Sequence, residues 1–66
     1  MKVFSERLKD ELQVSGLTES ALGAKIGIGQ STINKWKNNQ LEPNLENLAK
    51  LCKALDVSAD YLLGID

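Results

Sequence analysis

Gln30, Ser31, Asn34 and Lys35 place two amides, a hydroxyl and an ammonium at i, i+1, i+4 and i+5, the spacing of one helix face. These groups pair with base edges in a DNA groove: amides match adenine, lysine matches guanine, and a hydroxyl pairs with either. Little else in the chain can do chemistry. Histidine is absent, which removes the commonest general base and a common metal ligand. The single cysteine, Cys52, can neither close an internal disulfide nor hold a metal by itself, and it suits a reducing compartment. No enzymatic activity, metal or cofactor is expected, and the expected location is the cytoplasm.

The chain of 66 residues is one small domain, 1–66, whose 42% hydrophobic and 26% charged residues are those of a globular protein. Its longest apolar run is Tyr61-Leu62-Leu63, against about 20 residues for a membrane span. Met1 to Ser15 has no basic-then-apolar leader, so neither a membrane nor export is expected. The net charge of −1 runs against nucleic-acid binding, which draws much of its affinity from cationic contacts to phosphate. The distribution runs the other way. Residues 20–41 carry Lys25, Lys35 and Lys37 with no acid, while the acidic groups fall on either side.

The apolar residues repeat at helical spacing throughout, and no period-two stretch is long enough for a strand. Phe4, Leu8 and Leu12 form the stripe of a first helix over about 3–14, closed by Ser15-Gly16. Thr18 caps a second helix from Glu19 to about Lys25, which buries Leu22 and Ile26. Gly27-Ile28-Gly29 is a tight turn into a third helix, about 30–37, with Ile33 and Trp36 inward. Asn38-Asn39-Gln40 turns the chain, and Asn38 or Asn39 takes a positive φ. Asn44 caps a fourth helix with a buried stripe of Leu45, Leu48, Cys52 and Leu55. Ser58 caps a last short helix carrying Tyr61, Leu62 and Ile65. The fold class is all-α, with five short helices.

Two short helices joined by a glycine-containing turn form a helix-turn-helix, here over about 18–37. Gly23 faces the crossing of the two helices, where nothing larger than alanine is expected to fit. The chain resembles the Cro- and Xre-type helix-turn-helix family of phage repressors and bacterial regulators. The resemblance rests on Glu6-Arg7-Leu8, Gly16-Leu17-Thr18, Leu22 to Gly27, Gln30 to Trp36, Pro43, Leu45, Leu48, Asp56-Val57-Ser58 and Asp60 to Gly64. It implies a compact five-helix, lambda-repressor-like domain that binds operator double-stranded DNA, usually as a homodimer, with the third helix in the major groove. It also implies a sequence-specific transcriptional regulator, with a repressor expected.

Within that frame Gln30, Ser31, Thr32, Asn34 and Lys35 are the expected base readers. Thr18, Lys25, Lys37, Asn38, Asn39 and Gln40 are the expected phosphate contacts. Tyr61, Leu62 and Ile65 either complete the core of this chain or form a dimer seam. Glu19 departs from the pattern, since the family commonly has there a glutamine that contacts phosphate. An ionised glutamate has no hydrogen to donate and repels the phosphate, so Glu19 is expected to keep non-specific affinity low. Gly29 replaces the usual serine or threonine cap, and Asn39 a frequent glycine. A rival expectation is a protein-interaction module on the same fold, such as an antitoxin, which the acidic balance outside 20–41 favours.

Overall fold

The structure, a computed structural model, describes residues 1–66 as five helices and no strand. They are α1 (Lys2–Ser15), α2 (Glu19–Ile26), α3 (Gln30–Lys37), α4 (Leu45–Leu55) and α5 (Ala59–Leu63). Each boundary has a local cause. The Thr18 hydroxyl accepts from the Ala21 amide at 3.0 Å, Asn44 Oδ1 from the Asn47 amide at 2.8 Å, and the Ser58 hydroxyl from the Tyr61 amide at 3.0 Å. Such caps satisfy donors that a helix start otherwise leaves free. Gly27 ends α2 at φ +75°, a left-handed conformation that costs a residue with a side chain about 1–2 kcal/mol. Asn39, at φ +59°, is the asparagine that takes the positive φ, and Asp56 does the same after α4.

Eleven apolar residues form one core: Phe4, Leu8 and Leu12 from α1, Leu22 and Ile26 from α2, Ile33 and Trp36 from α3, Leu48, Leu51 and Leu55 from α4, and Leu62 from α5. Helices α2 and α3 pack on each other, α1 spans α3 and α5, and α4 closes against α2 and α5. The recognition of core positions from spacing is corrected at α4. Leu45 is 85% exposed, because it opens the helix ahead of the turns that reach the core. Leu51 is fully buried in its stead, and Cys52 is half-buried at the edge, where burial raises its thiol pKa.

Three further features are tertiary. Ser5 is buried, and its hydroxyl donates to the Trp36 carbonyl at 2.8 Å, fixing the end of α3 to α1. A Cβ added at Gly23 would run into the Ile28 carbonyl oxygen, so the crossing excludes alanine as well as larger residues. Leu62 is fully buried among this chain's own helices and cannot form a surface, which removes it from the dimer seam.

Candidate nucleic-acid interface

The face of α3 follows from what its other face buries. Ile33 is fully covered and Trp36 is 1% exposed, so Gln30, Ser31 and Lys35 stand exposed on the opposite side. Thr32 and Asn34 lie half-covered at its edges. Gly29 supplies no side-chain cap; its carbonyl accepts from the Thr32 and Ile33 amides at 3.1 and 3.2 Å. The crossing is held close by the Gly23 carbonyl, which accepts from the Gly27 amide and from the Ile28 amide at 2.8 Å. At the other end the Gln40 amide donates to the Lys35 carbonyl at 2.9 Å, closing α3 through Asn39 in the left-handed conformation.

Glu19 is where the geometry departs most from a helix-end charge pointing to solvent. Its Oε1 accepts from Gln30 Nε2 at 2.6 Å, and its Oε2 accepts from Asn34 Nδ2 at 3.0 Å and from Lys37 Nζ at 2.7 Å. Asn34 in turn accepts from Asn38 Nδ2 at 3.2 Å. One carboxylate therefore ties the start of α2 to α3 along its whole length, from Gln30 to Lys37. The Lys37 ammonium foremost, then the Asn34 and Gln30 amides, hold the Glu19 pKa down at about 2.

This rearranges the charge pattern read from the sequence. Residues 20–41 contain no acid in sequence, but in space Glu19 sits among them and pairs with Lys37. Lys25 lies elsewhere, beside Ile26 and Ala54 with Lys50 and Lys53. Lys25 lies seven positions beyond the Thr18 cap, about 10 Å at 1.5 Å per residue, so the two ends of α2 face different surroundings. Lys35 alone of the three lysines is exposed on the α3 face without an ion pair.

Thr18, Glu19, Lys37 and Asn38 border an open cleft of about 440 Å³ together with Lys9 and Gln13 of α1. A second cleft joins Lys9, Lys37 and Asn38 to Asn39, Lys2 and Ser5. Lys9 thus shares these clefts with Thr18, Lys37, Asn38 and Asn39, although the sequence offered no local signal for it. It comes from α1, and only the packing of α1 on α3 brings it there. Asn39 Oδ1 accepts from the Met1 amino group at 2.8 Å, and Gln40 is exposed beyond it. From α1 the Arg7 guanidinium reaches across to α5, where it lies 4.6 Å from the centre of the Tyr61 ring, pairs with Asp66 at 2.7 Å and donates to the Tyr61 carbonyl. Tyr61 is therefore half-covered by its own chain, while Ile65 is 67% exposed.

The backbone and sequence match known proteins over nearly the whole chain. A family profile described as helix-turn-helix matches residues 8–62. The crystal structure of the P22 c2 repressor in complex with a synthetic operator superimposes with a TM-score of 0.90 at 38% identity, covering 96% of each chain. Among curated sequences, repressor protein C2 of Salmonella phage P22 is 37% identical over 65 residues, which are 98% of this chain and 30% of that protein. The transcriptional regulator ImmR of Bacillus subtilis (strain 168) is 34% identical over 63 residues, 96% of this chain and 50% of that protein. The chain spans half or less of the length of these two relatives. With the profile covering most of its length and the five-helix backbone matching throughout, the chain belongs to the Cro- and Xre-type helix-turn-helix family.

Proposed function

We propose that this chain binds operator double-stranded DNA sequence-specifically and represses transcription, with α3 in the major groove and no enzymatic activity. One observation carries the reading: the exposed row of Gln30, Ser31 and Lys35, flanked by Thr32 and Asn34, stands on a backbone that superimposes at TM-score 0.90 on a repressor solved with its operator. Those five side chains read base edges. Thr18, Asn38, Asn39 and Gln40 flank them on the side that meets the phosphate backbone, in reach of the α2 N-terminus, where free amides and the dipole attract an anion. Lys9 joins that flank, whereas Lys37 is held by Glu19 and Lys25 is left out by its position. A homodimer forms on DNA through Ile65 and the uncovered part of Tyr61, so two half-sites lie about 10 base pairs apart. The site of action is the cytoplasm.

The test is a titration with random-sequence duplex at low and moderate salt. DNA binding that weakens steeply with added salt is the expected result, since each phosphate neutralised adds about −0.9 to the slope of log K against log salt. No binding at low salt would overturn the reading and favour a protein-interaction module such as an antitoxin.

A further inference from the structure

A carboxylate offers four lone-pair sites and no donor. Three of those on Glu19 are filled by Gln30, Asn34 and Lys37, and its side chain is only 16% exposed. We propose that Glu19 sets how this chain divides its affinity between cognate and random DNA, by fixing the Gln30 and Asn34 amides and withholding Lys37 from the phosphate backbone. The proposal rests on the DNA-binding reading above and concerns the side chains beside the base-reading face.

The first half follows from donor and acceptor chemistry. A glutamine amide can turn by 180° and exchange its oxygen and nitrogen at little intrinsic cost. Beside Glu19 it cannot, because the turned amide would set oxygen against oxygen. Gln30 is left with one N–H and its carbonyl oxygen for a base edge, in one fixed order. Asn34 is fixed twice, since its Nδ2 donates to Glu19 and its Oδ1 accepts from Asn38. A glutamine at position 19, having both a donor and an acceptor, would tolerate either order. The acceptor-only side chain is thus the one that makes the reading face discriminate.

The second half follows from charge. Lys37 carries one of only eight cations in the chain, and its ammonium is 2.7 Å from a carboxylate that stays ionised at every ordinary pH. A lysine so paired releases no counterion from DNA. Non-specific affinity, which is the summed effect of such releases, is lower by one contact.

The experiment measures the salt dependence of binding to random duplex and to a selected cognate duplex, in the full 66-residue chain, for Glu19→Gln, Lys37→Met and the double variant. Thermal melts confirm that each is folded. Glu19→Gln is expected to tighten random-duplex binding, to steepen its salt slope by about one, and to narrow the cognate-to-random ratio. Lys37→Met is expected to leave the wild-type slope unchanged but to lower it by about one in the Glu19→Gln background. An unchanged slope in Glu19→Gln overturns the proposal, and so does a drop of one for Lys37→Met alone, which would put Lys37 on phosphate already. The wild-type titration separates the two levels. If the wild type binds DNA and these differences are missing, only the role of Glu19 fails; if the wild type binds no DNA, the function fails and takes this role with it.

Discussion

The Ser5 hydroxyl donates to the Trp36 carbonyl oxygen at 2.8 Å, a buried bond that joins α1 to the last turn of α3. Trp36 itself is core and not a stacking platform: its ring fills the centre, and its indole nitrogen has no partner. The position of α3 is therefore set from the side opposite its exposed Gln30, Ser31 and Lys35. Ser5→Ala should lower stability by about 1–2 kcal/mol, since it leaves a buried carbonyl without its strongest partner. Urea unfolding checks this, and an unchanged midpoint would contradict it.

Gly23→Ala should be worse than its single methyl suggests. The added Cβ meets the backbone oxygen of Ile28, which cannot move without opening the turn between α2 and α3. A loss of about 1–3 kcal/mol is expected, in the range of overpacked cores. Thermal unfolding measures it, and full stability in the variant would mean that the turn yields easily.

Acid should undo the Glu19 cluster. The Glu19 pKa is pulled from its ordinary 4.5 to about 2, chiefly by Lys37. A depressed carboxylate pKa contributes stability that is fully present above the unfolded value and is lost as pH falls toward the folded one. The melting temperature of the wild type should exceed that of Glu19→Gln at about pH 5, and the gap should close as pH falls to about 2. A gap that does not change with pH would show that Glu19 is not the titrating group.

Lys9→Ala should weaken binding to every duplex about equally and reduce the salt slope by about one, as expected for a phosphate contact. Lys25→Ala should leave the slope as it is, because Lys25 stands with Lys50 and Lys53 away from the cleft. Salt titrations of the two variants decide between these positions. Equal slopes for both would contradict the assignment.

Local signals carried most of the fold. Caps at Thr18, Asn44 and Ser58, the turn at Gly27 to Gly29 and the stripes of α1 to α3 each lie within a few residues, so periodicity and capping chemistry expose them. What escaped is what packing decides. Leu45 falls on the apolar stripe of α4 but precedes the turns that reach the core, and nothing in the spacing distinguishes it from Leu51. Ser5 and Lys9 act through α3, about 30 residues away in sequence, where no short-range pattern can register them. Glu19 was legible as an unusual residue, but its partners were not: a helix-end carboxylate suggested repulsion of phosphate, whereas three donors from α3 hold it in place.

The base-reading role of α3 is tested most directly by selecting bound duplexes from a random pool with the wild type and with Gln30→Ala. The wild type should enrich a two-part site with half-sites about 10 base pairs apart. Gln30→Ala should bind that site about 1–3 kcal/mol more weakly and lose preference at one position in each half-site, leaving the others intact. A wild type that enriches no sequence, or a Gln30→Ala variant that selects the same site with undiminished preference at every position, would contradict the assignment of α3 as the reading helix.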